Sequence, residues 1–266
     1  MTEVAAPADC VHFLGVGAPS HPALGSAACV LERAGRPELL IDCGHDTLAA
    51  YLAAYGTLPE AIFITHVHMD HVAGLEALFY QARFGASAVA PIRLFVPVSL
   101  VAWLHQRIAA YPETLAEGDG NFWDVFRLCP VGQRFWLNHR CYHVFEARHH
   151  APNSAFGLCL PGKFLYTGDT RPIPEQLVAH AGAGETIFHD CGLHGNPSHT
   201  GMADLAREYT AEQRARMWLY HYHSAGDART LQAHGYRVVS KCQRIVLGEA
   251  YGERAERSVP LSRLSA

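Results

Sequence analysis

The chain lacks most of the features that mark a protein as exported, membrane-bound or nucleic-acid-coating. Its opening residues, MTEVAAPADC, carry no basic segment followed by an apolar one, so no signal peptide is expected. The longest apolar stretch, Leu94 to Leu104, is broken by Pro97 and Ser99. It falls far short of the roughly 20 residues of a membrane span. There is no excess of positive charge: 21 Lys and Arg face 25 Asp and Glu, for a formal net charge of -4. A general nucleic-acid binder needs clustered Lys and Arg, so that class is disfavoured, while a local basic patch stays open. Eight cysteines at 10, 29, 43, 129, 141, 159, 191 and 242 include no CxxC pair. Scattered through a chain without an export signal, they read as reduced, mostly buried thiols of a cytoplasmic protein. No segment is low in complexity and no fixed-period repeat is present.

What the chain does have is a large apolar fraction, 49% of 266 residues, enough for one sizeable core. Short β-type runs recur at Val11-Leu14, Ala28-Leu31, Leu39-Ile41, Ile62-Ile64, Ile92-Val96, Tyr142-Phe145, Phe156-Leu160, Phe164-Tyr166, Thr186-Phe188, Met217-Tyr220 and Arg237-Val239. Helical patterns over Asp46-Tyr55, Val72-Phe84, Leu100-Ala110, Glu175-His180 and Ala203-Gln213 lie between them. Gly118-Asp119-Gly120-Asn121 reads as a loop within the domain. The alternation predicts an α/β fold in a single domain over residues 1–252. The tail 253–266 loses periodicity, as poorly ordered termini do.

The most informative stretch is AIFITHVHMDHVAGL, Ala61 to Leu75, where an apolar run ends in His66, His68, Asp70 and His71. His66 and His68 alternate to one side of an extended segment and can share one ion. The turn that follows aims Asp70 and His71 at a second. Zinc takes such N and O donors, about four per ion, so further ligands are expected downstream at strand ends. FEARHH ends in His149 and His150. FLYTGDT ends in Asp169, with Gly168 permitting a sharp turn, and MWLYHYH ends in His221 and His223. His66, His68, Asp70, His71, His149 (or His150), Asp169 and His221 make a set suited to two divalent ions, Zn2+ first, with Mn2+ or Fe as alternatives. His221 directly follows its apolar run and is preferred to His223.

These four segments, in this order, resemble the metallo-β-lactamase superfamily. The likeness runs from FLGVG at Phe13-Gly17 to VLGE at Val246-Glu249. It implies a four-layer αβ/βα sandwich, two mixed β-sheets flanked by helices, with the metals at one edge. LYTGDTRP looks like the aspartate segment of ribonuclease Z. FHDCGLHGNPSHTGMADL looks like the segment that carries an extra catalytic histidine in ribonuclease Z and in phosphoribosyl cyclic phosphodiesterase. On that resemblance His199 takes the role. As a bare sequence position it also reads as the start of a helix capped by Thr200. The interval from Ala151 to Gly168 holds only two strands and a turn at Pro161-Gly162. It leaves no room for the long arm with which ribonuclease Z grips transfer RNA, and that substrate is not expected. No cysteine cluster near the N-terminus supports the additional structural zinc of the phosphonate-pathway enzyme.

His149 is favoured over His150 because its spacing to Phe156-Gly157 looks like that of relatives with small substrates. His150 would then face the substrate or support the ligands. His189, Asp190 and His194 are candidates to hold ligand imidazoles by their second nitrogen. His12, His45, His105, His139, His143, His180 and His234 have no partners in sequence and read as core or surface residues. Phe122, Trp123, Phe126, Phe135 and Trp136 read as core or lid packing ahead of base stacking. Two ions about 3.5–4 Å apart would present a bridging hydroxide at neutral pH. Asp70 would orient it, and His199 would protonate the leaving group. A phosphodiester gains most from that acid, so a hydrolase of a small or cyclic phosphodiester ranks first. An ester, thioester or lactone hydrolase and a di-iron redox protein are the alternatives. The substrate expected is a small molecule, and monomer and homodimer are both left open.

Overall fold

Strands that are apolar at nearly every position must be covered on both faces, and the first half of this chain is built from such strands. The computed structural model describes residues 8–19, 21–85, 90–110, 114–115, 118–182 and 184–248. The tail at 253–266 lies outside these residues. The first half runs β1 (Cys10–Gly15), β2 (Ala28–Arg33), β3 (Arg36–Ile41), α1 (Thr47–Tyr55), β4 (Ala61–Phe63), α2 (Met69–Val72), α3 (Gly74–Phe84) and β5 (Ile92–Pro97). It continues with α4 (Val101–Leu104), a π-helical stretch (His105–Ala109), β6 (Thr114–Leu115), β7 (Gly118–Asp119), α5 (Phe122–Val125) and β8 (Phe126–Val131). The second half runs β9 (Arg134–Leu137), β10 (Arg140–Glu146), β11 (Phe156–Leu160), β12 (Phe164–Tyr166), α6 (Pro174–His180) and β13 (Thr186–Asp190). Then come α7 (Met202–Glu208), α8 (Ala211–Ala215), β14 (Met217–Tyr220), α9 (Ala225–Ala233), β15 (Arg237–Val238) and β16 (Arg244–Val246).

Two seven-stranded sheets result, ordered β16-β1-β2-β3-β4-β5-β8 and β15-β14-β13-β12-β11-β10-β9. Each half opens with an antiparallel meander, β1-β2-β3 or β9-β10-β11-β12. Each then turns parallel, through β4, β5 and β8 or through β13, β14 and β15. The period-two alternation of a strand sorts the first sheet's side chains. Cys29, Leu31, Leu39, Ile41, Phe63 and Phe95 join one core with Tyr142, Leu158, Phe164, Tyr166 and Phe188 of the second sheet. Val30, Leu40, Ile62, Leu94 and Val96 face the other way, onto Leu48, Leu75, Leu78, Phe79 and Leu104 of the helices. Each such side chain, fully buried, contributes about 1.5–3 kcal/mol. The sandwich expected from the sequence is the architecture observed.

Local differences have physical causes. The helix expected over Ala203-Gln213 is two helices, because the Thr210 hydroxyl accepts from the Gln213 backbone N–H at 3.2 Å and starts a new one. The helix expected over Val72-Phe84 begins two residues later, as α3, and the short α2 precedes it. Gly118-Asp119 pairs with Thr114-Leu115 rather than looping freely. Strands β8, β9 and β16 and helix α9 were not anticipated. Phe122, Phe126 and Phe135 are core residues, whereas Trp136 is exposed. Of the eight cysteines, five are buried and all are free thiols. Among the described residues no helix is long and apolar enough to cross a membrane.

The parallel strands set up the site by bringing their C-terminal ends to one edge, the usual place for ligands in parallel sheets. Asp42 follows β3, His66 to His71 follow β4, His149 follows β10, Asp169 follows β12, Asp190 ends β13 and His221 follows β14. Gly168 makes the turn before Asp169 possible. Its φ is +64°, and a Cβ there would lie 2.8 Å from the Phe156 carbonyl oxygen. Gly168→Ala is expected to lower stability by about 1–3 kcal/mol. Chemical denaturation of the variant against the parent checks this, and an unchanged midpoint and slope would count against the strain.

Candidate metal centre

The loop after β4 is extended as far as His68, whose φ of -69° and ψ of 153° lie in the β region, and it then coils into α2. That change of backbone sends His66 and His68 one way and Asp70 and His71 another. The loop after β3 presses on α2: a Cβ on Gly44 would sit 2.0 Å from the Asp70 carbonyl oxygen. Only glycine allows that approach.

A count of protons fixes the imidazole orientations. The Thr65 hydroxyl donates to Asp42 Oδ2 at 2.7 Å, so it accepts from His66 Nδ1 at 3.0 Å. A neutral His66 then has a bare Nε2. His149 donates from Nδ1 to the Ser198 carbonyl oxygen at 2.9 Å, which leaves its Nε2 bare as well. Both bare nitrogens point at His68 Nδ1, from 3.1 and 3.2 Å. One proton at most can sit among three converging nitrogens, whereas a cation would satisfy all three lone pairs.

The second group is Asp70, His71, Asp169 and His221. His71 donates from Nδ1 to Asp42 Oδ2 at 2.8 Å, so its Nε2 faces Asp70 Oδ2 and Asp169 Oδ2, each at 3.3 Å. His221 Nε2 lies 3.2 Å from Asp169 Oδ2, and its Nδ1 lies 3.5 Å from Asp190 Oδ1. Asp169 Oδ2 is also 3.7 Å from His66 Nε2. Asp169 therefore stands between the two groups. His221 and Asp42 both adopt positive φ, 67° and 62°. Such backbone is uncommon outside glycine and is characteristic of functional sites.

Divalent ions fit this donor set. Asp70 Oδ2, Asp169 Oδ1, His71 Nε2 and His221 Nε2 are buried with no hydrogen-bond partner. Asp42, Asp169 and Asp190 are at most 1% exposed, and buried carboxylates require cations or ion-pair partners. The protein alone supplies them by protonation. Burial opposes a charge on His71 and His221, yet the surrounding carboxylates raise both imidazoles above their ordinary value. In the first group burial lowers His66 and His149, and it takes His68 down to about 4 with help from the neighbouring imidazoles. Low-pKa imidazoles are neutral at pH 7, the form that binds a metal.

His199 lies against both groups, its ring centroid 4.7 Å from that of His149 and 4.9 Å from that of His221. Its Nδ1 is bonded to Asp190 Oδ2 at 2.8 Å, so Nε2 is the nitrogen left for chemistry. Burial disfavours its charge, but Asp190 outweighs burial and raises the imidazole to about 9. The Asn196 side chain accepts from the Ser198 and His199 backbone N–H groups at 2.8 and 2.9 Å and fixes the loop.

A profile of the family described as Anti-Pycsar protein Apyc1 matches residues 10–245. The chain belongs to this family. The Apyc1 protein of Paenibacillus harenae is 28% identical over 214 residues, covering 77% of this chain and 87% of that protein. The ribonuclease Z of Pseudomonas putida (strain GB-1) is 37% identical over 102 residues, covering 37% of this chain and 32% of that enzyme. The metallo-β-lactamase fold protein YhfI from Bacillus subtilis is a solved structure with a TM-score of 0.68 at 12% identity. The match covers 90% of this chain and 99% of YhfI. This Apyc1-family chain is thus a hydrolase of the metallo-β-lactamase fold.

All seven expected ligands meet at one edge of this Apyc1-family fold, in the two groups read from the motif. His149 is the buried member of its pair. His150 is exposed; its Nε2 lies 3.1 Å from His68 Nε2 and its Nδ1 3.3 Å from the Ser198 hydroxyl. His223 is exposed, and among the described residues it joins no ligand group. Asp190 faces His221 Nδ1 at 3.5 Å and bonds His199 Nδ1 at 2.8 Å, but His194 is exposed and His189 turns away, bonding Tyr209 at 2.7 Å. The sequence reading missed Asp42, which holds His71 and Thr65. Its signal was the one used elsewhere, an acid directly after an apolar strand, here Leu39-Leu40-Ile41.

Metal analysis of the fresh protein is expected to give close to two ions per chain. Asp169→Ala should lose at least one of them, and His223→Ala should keep both. Metal loss in the His223 variant would reassign the last ligand.

Proposed function

We propose that the chain is a dinuclear metal-dependent phosphodiesterase, with zinc the first choice of ion, that opens a small or cyclic phosphodiester such as a cyclic mononucleotide. The observation that carries this reading is the His199-Asp190 pair, a proton donor aimed at the same space as both ligand groups. When bound, divalent ions supply Lewis acidity and a water whose pKa falls towards 7. His66, His68 and His149 would hold one ion and Asp70, His71 and His221 the other, with Asp169 between them. Asp70 Oδ2, free of any hydrogen-bond donor, is suited to orient the attacking water. His199 holds its proton at Nε2 and passes it to the leaving alkoxide, while Asp190 keeps the ring in register. An ester or lactone leaving group needs that proton less, so the presence of the pair favours the diester. Transfer RNA remains disfavoured on the short interval between His149 and Asp169.

Hydrolysis of bis-p-nitrophenyl phosphate compared with p-nitrophenyl esters tests the class directly, and preference for the esters would reject it. His199→Ala should keep both metals. Its rate on a diester with an alkyl alkoxide leaving group should fall by roughly 10²–10⁴. The fall should be much smaller for p-nitrophenyl leaving groups. Equal losses on both would make His199 a positioning residue.

The same role sets a pH limit. Raised above its ordinary value to about 9, His199 carries its proton at neutral pH and loses it as pH rises. Nearby cations oppose that proton, so in the loaded enzyme the limb lies at or below this value. The alkyl-diester rate is expected to decline on the alkaline side, and the p-nitrophenyl rate to lack that limb. A pH profile for both substrates checks it.

A further inference from the structure

Next to the first ligand group lies a cavity of about 640 Å³, lined by His66 and His68 together with Met69, Trp103, Gln106 and Arg107. This volume is typical of small-molecule sites. Trp103, Gln106 and Arg107 come from α4 and its π-helical continuation, whose Leu104 and Ile108 are buried in the helix-facing core. Single π turns recur at functional sites. Here the turn accompanies three exposed side chains that all line the cavity.

These side chains present much of their surface to the cavity. Trp103 is 44% exposed and Met69 47%, and among the described residues Trp103 stacks on no other ring. Gln106 and Arg107 likewise enter no hydrogen bond or ion pair among the described residues. An indole face, a guanidinium and an amide are thus available beside the ligand imidazoles. A planar ring with polar edges suits that combination, since it can stack on the indole and bond to the other two.

We infer that Trp103, with Arg107 and Gln106, forms a subsite for the nucleobase of the substrate. The phosphodiester end of the same molecule lies towards His66 and His68. This rests on the phosphodiesterase reading above and assigns to named residues the recognition of the part of the substrate that does not react.

The test compares a 3′,5′-cyclic mononucleotide with the matching methyl riboside 3′,5′-cyclic phosphate, which lacks the base. For Trp103→Ala the ratio of kcat/KM for the two substrates, nucleotide over riboside, should fall by about 5- to 150-fold, the usual range for losing one base-stacking side chain. Trp103→Phe should recover most of the ratio. An unchanged ratio, with or without a loss common to both substrates, overturns the subsite. Calorimetric binding of the cyclic mononucleotide to the metal-loaded parent and to Trp103→Ala separates this inference from the broader one. If the parent hydrolyses no diester yet binds the nucleotide more tightly than the variant does, the subsite stands and the assigned reaction falls. Equal affinities overturn the subsite.

Discussion

Everything at the working edge of this protein follows from burying carboxylates. Asp42, Asp169 and Asp190 are withdrawn almost completely from water, and Asp70 largely so. Taking such groups out of solvent costs far more than any single hydrogen bond returns. The fold meets that cost with imidazoles whose second nitrogens are tied elsewhere, to Asp42, Ser198 or Asp190. Each tie fixes the orientation of its ring and turns the other nitrogen inward. The positive φ at His221 and Asp42 indicates that surrounding packing, rather than local preference, holds these residues in place.

Asp190 has a double part in this arrangement. One oxygen holds His199 and the other approaches His221, while the Thr170 backbone N–H bonds the first oxygen at 2.8 Å. His199 and the cluster that contains His221 are therefore built on one carboxylate. Changing the position of either would be felt by the other, which is why their separate effects must be read through metal content and leaving-group dependence together.

Much of the site was legible because its ligands cluster in sequence or end conspicuous strands. His66, His68, Asp70 and His71 fall within six residues, and Asp169 is announced by Gly168. Asp42 was harder, since its role depends on the parallel pairing of β3 with β4, where Ile41 sits beside Phe63. No local pattern encodes that contact. The strands that escaped notice are poorly patterned ones. β8 contains Pro130 and buries only its ends, and β16 is three residues long. Helix α9 buries only Leu231, so little apolar periodicity betrayed it.

The division of the chain into two sheet-forming halves has a consequence for how the molecule comes together. His66 and His68 come from the first half and His149 from the second. Asp70 and His71 come from the first, and Asp169 and His221 from the second. Neither half carries a full set of donors for either ion. An ion in either position would be a clasp between halves, tightening only after both sheets have formed and met. Synthesis from the N-terminus delays that moment until β14 has been made, and the final strand, β16, then returns to pair with β1. Capacity to retain metal would thus be a property of the assembled sandwich, acquired late and all at once.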